Sequence, residues 1–133
     1  MSALPTSERP RVLVVDDEPD IRLLVTQILE RAPFDCHQAS NGVEAITRIY
    51  DDWYEAVILD LMMPVADGFE VLEELAEACP TVLRHVIAIT AGTDEIVQEI
   101  DPRVFALLRK PFHPKDLLDT VCWCVEQGKT KSH

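Results

Sequence analysis

Five short apolar runs, separated by stretches with helical spacing, divide this 133-residue chain into an alternation that few folds can satisfy. The runs are Val12–Val15, a stretch near Phe34–Ala39, Ala56–Leu59, Val86–Ile89 and Val104–Leu108. Strand and helix signals that alternate five times argue for an α/β fold with a parallel sheet, each helix serving as a crossover. Four of the five runs end in polar groups: Asp16-Asp17, Asp60, Thr90, and Lys110 of Lys110-Pro111-Phe112. Ligands of open parallel sheets bind outside the carboxyl ends of the strands, so three carboxylates, a hydroxyl and an ammonium should meet in one crevice. That set suits a divalent cation and a phosphoryl group.

The chain length fits one domain, and a 47% hydrophobic content is enough for a single core without disulfides or a structural metal. Residues 1–10 mix Pro, Ser, Thr and charges without an apolar stretch, which reads as a loose tail and not a signal peptide. Gly128 and the polar residues after it read as a second tail, 128–133. No run reaches the roughly 18 to 20 apolar residues of a membrane span, so a soluble, cytoplasmic protein is expected. Twenty-four acidic against twelve basic residues give a formal charge of −12, which opposes direct contact with nucleic acid or anionic lipid.

The four cysteines contain no CxxC pair, and the Cys122-Trp123-Cys124 spacing points its two thiols to different sides of a helix. They read as reduced, small apolar residues. His113, near Cys122 and Cys124, is the single hint of a second metal cluster.

Helical faces fill the gaps between the runs. Pro19 suits a first helical position, with Ile21, Leu24, Val25, Ile28 and Leu29 on one face and an end near Ala32-Pro33. Asn41-Gly42 opens a second helix carrying Val43, Ile46, Ile49 and Tyr50. Gly68 precedes a third, with Leu72, Leu75, Ala76 and Cys79 on a face and Pro80 as its stop. The fourth must fit between Thr93 and Asp101-Pro102 with only Ile96, Val97 and Ile100 as anchors, which makes it short and mobile. Leu117, Leu118, Val121, Cys122 and Val125 define the fifth.

Each polar ending has an ordinary alternative. Asp16-Asp17 could cap the first helix, Asp60 could initiate a turn, Thr90 could be a β-branched strand residue, and Lys110 could be a surface lysine. Their occurrence in order, each after an apolar run and each at the same end of the sheet, favours the shared site. Asp17 and Asp60 on adjacent strands would repel by about 4 kcal/mol at about 4 Å and an effective dielectric near 20. Mg²⁺ prefers hard oxygen ligands and is commonly held by one or two carboxylates plus phosphate oxygens. Small Ala91 and Gly92 would let a phosphoryl group approach the backbone and the Thr90 hydroxyl.

With Asp16-Asp17-Glu18, Asp60-Leu-Met-Met-Pro-Val-Ala-Asp-Gly68, Thr90-Ala91 and Lys110-Pro111-Phe112, residues 11–127 closely resemble the receiver domain of bacterial two-component response regulators. The resemblance implies a flavodoxin-like (βα)5 three-layer sandwich with strand order 2-1-3-4-5. It implies that Asp60 accepts a phosphoryl group from a sensor histidine kinase or a histidine phosphotransfer protein. It also implies Mg²⁺ bound by Asp17, Asp60 and the Met62 carbonyl, with Asp16 acting through water. Lys110 would hold the phosphoryl oxygens, and Thr90 would turn inward to them and switch the fourth-helix region toward a downstream target. Such a domain is a signalling phosphoacceptor and not an enzyme acting on small substrates, and the family also pairs through the face made by its fourth helix, fifth strand and fifth helix.

The chain departs from the family at Leu107, where an aromatic residue usually stands three positions before the lysine, and the Thr90–Lys110 interval is slightly short. Trp123 falls among Lys115, Asp116, Asp119 and Glu126 on the polar side of the last helix, which suggests a partner or dimer surface. A competing reading is a phosphohydrolase of the haloacid dehalogenase type, which also forms an aspartyl phosphate. Such enzymes carry a second Asp two residues after the nucleophile, where this chain has Met62.

Overall fold

The computed structural model describes residues 9–63 and 67–131, with side chains to Gln127. Most of the expected N-terminal tail, and Pro64–Ala66 of the segment after Asp60, lie outside the described residues. Five parallel strands form one sheet: β1 (Arg11–Val15), β2 (Asp35–Ala39), β3 (Ala56–Asp60), β4 (Val86–Thr90) and β5 (Ala106–Arg109). The order is β2-β1-β3-β4-β5, as the resemblance implies. Five helices connect them: α1 (Pro19–Leu29), α2 (Gly42–Asp51), α3 (Gly68–Ala78), α4 (Asp94–Gln98) and α5 (Pro114–Lys131). The architecture is the flavodoxin-like sandwich, helices covering both faces of the sheet.

Alternation along the strands divides the core in two. Leu13, Val15, Val57, Leu59 and Ala88 join Ala45, Ile49, Leu72 and Leu75 beneath α2 and α3. Val12, Val14, Ile58, Ile87 and Ile89 meet Val25, Ile28, Leu117 and Val121 beneath α1 and α5. All five residues of β3 and of β4 are buried, whereas the edge strands β2 and β5 are mostly half-buried. Asp60 and Thr90 are therefore the last residues of the two driest strands.

Several sequence expectations need correction. Leu24 and Val43 are exposed and not on the buried stripes, because Val25, Thr26, Ile28 and Leu29 supply the inner face of α1, and Gly42, Ala45 and Ile49 that of α2. Tyr50 is exposed too, its hydroxyl donating to Glu74 at 2.9 Å. The first helix stops at Leu29, short of Ala32-Pro33. Gly68 does not precede α3 but is its first residue, and Asp67 caps the helix, its side chain accepting from the Glu70 N–H. Pro80 does end α3, but it also opens a 3₁₀ turn over Pro80–His85. Helix α5 continues through Gly128 to Lys131, so most of the expected C-terminal tail is helical. No helix among the described residues is long and apolar enough to cross a membrane.

Candidate functional site

The site is assembled by strand register. Val15 lies opposite Leu59, and Asp60 lies opposite Ile89, so Asp16 and Asp60 emerge side by side where β1 and β3 end. Asp16 and Asp60 are 5% and 3% exposed, while Asp17 is half-buried. One oxygen from each of the three carboxylates lies within 4.8 Å of the others.

Local contacts fix this loop. Asp16 Oδ1 accepts from the Glu18 N–H at 2.9 Å, and its carbonyl accepts from the Arg22 guanidinium at 2.7 Å. Arg22 also donates to Gln38 Oε1 at 3.0 Å, fastening the β1 loop to α1 and β2. The N-cap of α1 is Glu18, without a side-chain capping bond, and Pro19 needs no N–H acceptor there. Neither Asp16 nor Asp17 is spent on capping the helix.

Asp60 Oδ1 accepts from the Met62 N–H at 3.0 Å, and Oδ2 stands 3.7 Å from Lys110 Nζ. Burial pushes the Asp60 carboxyl up from its ordinary value, against the opposing pull of the Met62 N–H and Lys110 and with further upward pressure from Asp17 and Glu18. Burial likewise raises Asp16, whose carboxylate also feels Asp60. Three acids thus share one lysine in a largely dry pocket. Hard oxygen donors in such a cluster, with surplus negative charge, fit a divalent cation such as Mg²⁺.

Thr90 is fully buried, and its Oγ1 accepts from the Gly92 N–H at 2.9 Å. A Cβ at Gly92 would stand 3.0 Å from Thr90 Oγ1 and 3.0 Å from Ile96, which explains the small residue there. Lys110 donates its backbone N–H to the Thr90 carbonyl at 2.9 Å, continuing the β4–β5 register, and its peptide bond to Pro111 is cis. Gly68 packs on the backbone just after Asp60, where a Cβ would lie 2.5 Å from Leu61 Cα and 2.7 Å from the Asp60 carbonyl oxygen.

Of the residues singled out in the sequence, Asp16, Asp17, Asp60 and Lys110 come together, and Thr90 lies on the neighbouring strand end. Met62 is half exposed. Leu107 packs against the core cluster beneath α2 and α3. Trp123 is 64% exposed and packs edge-to-face on Phe105, their ring centroids 5.8 Å apart. His113 and the cysteines form no metal cluster among the described residues, and burial pushes the Cys36 and Cys124 thiols up to about 11 and about 12. Sequence reasoning missed Arg22 and an ion pair from Arg109 to Asp94 that ties β5 to α4. Neither leaves a local sequence signal, because Arg22 and the Arg109–Asp94 pair act across elements that only the fold brings together.

Residues 12–122 match the family described as the response regulator receiver domain. The chain belongs to that family. Transcriptional regulatory protein SrrA of Staphylococcus aureus is 37% identical over 109 residues, covering 80% of this chain and 44% of the relative. This receiver chain thus spans less than half the length of the curated relatives it matches. Chemotaxis protein CheY4 of Vibrio cholerae is similar in structure, with a TM-score of 0.77 and 30% identity over 87% of this chain and 98% of that one. The receiver domain of Francisella response regulator 1452 gives a TM-score of 0.80 and 27% identity over 90% and 99% of the two chains. A receiver is a signalling domain, and the sandwich is the fold these structures share.

Proposed function

We propose that residues 11–127 act as a phosphoacceptor switch in which Asp60 takes a phosphoryl group from a phosphohistidine of a sensor kinase or phosphotransfer protein. The observation that carries this reading is the placement of Asp60, 3% exposed, between the Lys110 ammonium and two further carboxylates. An Asp60 carboxylate oxygen forms the new bond to phosphorus while the phosphorus–nitrogen bond to the donor breaks, and the freed imidazole takes up a proton. Lys110 holds the phosphoryl oxygens, and fixed positioning does most of the remaining work.

Asp17, Asp60 and the Met62 carbonyl would hold Mg²⁺, with Asp16 acting through water. Bound there, the ion supplies positive charge that offsets the carboxylates and the incoming phosphoryl group. The Thr90 hydroxyl then donates to a phosphoryl oxygen. Its Gly92 contact links that movement to α4, a five-residue helix without a buried side chain. With Leu107 in the usual aromatic position and packed into the core, the readout runs through Thr90 and α4 and not through a rotating ring.

The added charge, about −1.5 to −2 at neutral pH, changes the affinity of the α4–β5–α5 face for a downstream protein target or a second copy. Trp123 lies on that face. The domain acts in the cytoplasm, without direct contact to nucleic acid. Incubation with Mg²⁺ and acetyl phosphate should add one phosphoryl group, read by intact mass, and Asp60→Ala should abolish the gain. No adduct with acetyl phosphate or phosphoramidate would overturn the reading. Rapid turnover of unrelated phosphoesters would favour the dehalogenase-type hydrolase.

A further inference from the structure

Beside the short α4, the apolar side chains of α3 stay packed on the core, Phe69 and Ala76 half-buried and Leu72 only 4% exposed. Phe69, Leu72, Glu73 and Ala76 recur at helical spacing along one face of α3, which packs along α2 and the 3₁₀ turn but only slightly against α4. Between this face and the segment that follows α4 runs a groove of about 340 Å³, with Phe69, Leu72 and Ala76 on one wall and Ile100 and Pro102 on the other. Such a volume accepts one or two apolar side chains.

Charge decides what can fill it. Glu73 and Glu99 line the groove, both are exposed, and neither has a basic partner among the described residues. Asp101 is already neutralised by Arg103, with contacts at 2.7 and 3.0 Å. Glu70, Glu74 and Glu77 add to the acidity of α3 without a lysine or arginine on the helix. An acidic segment, from a second copy or from another protein, would be repelled at this rim, and nucleic acid more so.

We infer that this groove docks a basic amphipathic helix of a protein partner, apolar side chains entering between α3 and Ile100 while lysines or arginines meet Glu73 and Glu99. Helix-in-groove recognition of this kind needs an apolar stripe at i, i+3, i+4 and i+7, with specificity from the charged rim. The inference is independent of phosphoryl transfer at Asp60.

The test uses the full chain and a synthetic peptide of Lys, Ala and Leu with Leu at that spacing, against a scrambled peptide of the same composition. Amide NMR shifts should fall on Phe69–Ala76 and Gln98–Pro102, and the scrambled peptide should bind much more weakly. Glu73→Lys with Glu99→Lys should weaken binding about tenfold. Glu30→Lys with Asp119→Lys makes the same charge change on the α1 and α5 side, and should weaken it far less. Gln98→Trp should obstruct the groove from its exposed wall and leave the core untouched, a point checked by thermal melting. Equal binding of both peptides, equal effects of both charge reversals, shifts on another face, or no binding would each overturn the inference.

Discussion

The two ends of the same sheet handle charge in opposite ways. At the end where the strands begin, Arg11 bridges Asp35 and Asp52 at 3.7 and 3.0 Å, and His85 donates from Nδ1 to the Glu55 carbonyl at 2.9 Å. That same carbonyl accepts from the Cys124 thiol at 3.6 Å, and on β2 His37 is hydrogen-bonded to Tyr54 at 2.9 Å. Opposite charges and matched polar groups meet there, mostly near solvent. At the other end, three acids crowd around one lysine, and two of them are almost fully buried. The fold tolerates this imbalance because β1, β3 and β4 anchor it, which is the pattern expected where stability has been traded for function.

Three perturbations break or sharpen that contrast. The largest should be Gly68→Ala, since a Cβ there would lie 2.5 Å from the Leu61 backbone, next to Asp60. A loss of about 3 kcal/mol in a urea titration is expected from such overpacking. A loss below about 1 kcal/mol would mean that the backbone around Asp60 and Leu61 yields easily.

The second concerns protons and metal together. Burial raises the Asp16 and Asp60 carboxyls, so just above the ordinary carboxylate value the folded state holds protons that the unfolded state has released. Stability should therefore fall as pH rises through that window. Mg²⁺ at about a hundred times its dissociation constant should restore about 2.7 kcal/mol near neutrality, and almost nothing near pH 4. Thermal melts across pH, with Asp60→Asn as the control that loses the Mg²⁺ response, would check both signs.

The smallest effect belongs to the balanced end. Arg11→Ala should cost about 0.5 to 1 kcal/mol and less at high salt, because its partners are partly solvated. A salt-independent loss several times larger would show that this end is also under electrostatic tension.

The same contrast explains what could be read from the residues alone. Strand positions and the site were legible because β3 and β4 are buried throughout and end in a lone polar residue, a pattern local to five consecutive positions. The paired end was not legible. Arg11 and Asp52 are 41 residues apart, and only the register of three strands brings such partners together. Exposure of Leu24 and Val43 was missed because periodicity marks an apolar stripe without saying how wide a face the sheet will cover. The 3₁₀ turn after Pro80 and the helical continuation past Gly128 were missed because proline also starts helical turns, and one glycine weakens a helix without ending it.

The ion pair between Arg109 and Asp94 has a separate consequence. It joins the strand residue beside Lys110 to the first residue of α4, and its aspartate is 84% exposed. Mobile ions screen such a tether, whereas the buried carboxylates of Asp16 and Asp60 are shielded from them. The position of the fourth helix should thus respond to ionic strength more than the proposed acceptor site does. If the proposed switch holds, substitutions at positions 94 and 109 should shift its unphosphorylated state while leaving phosphoryl acceptance at Asp60 intact.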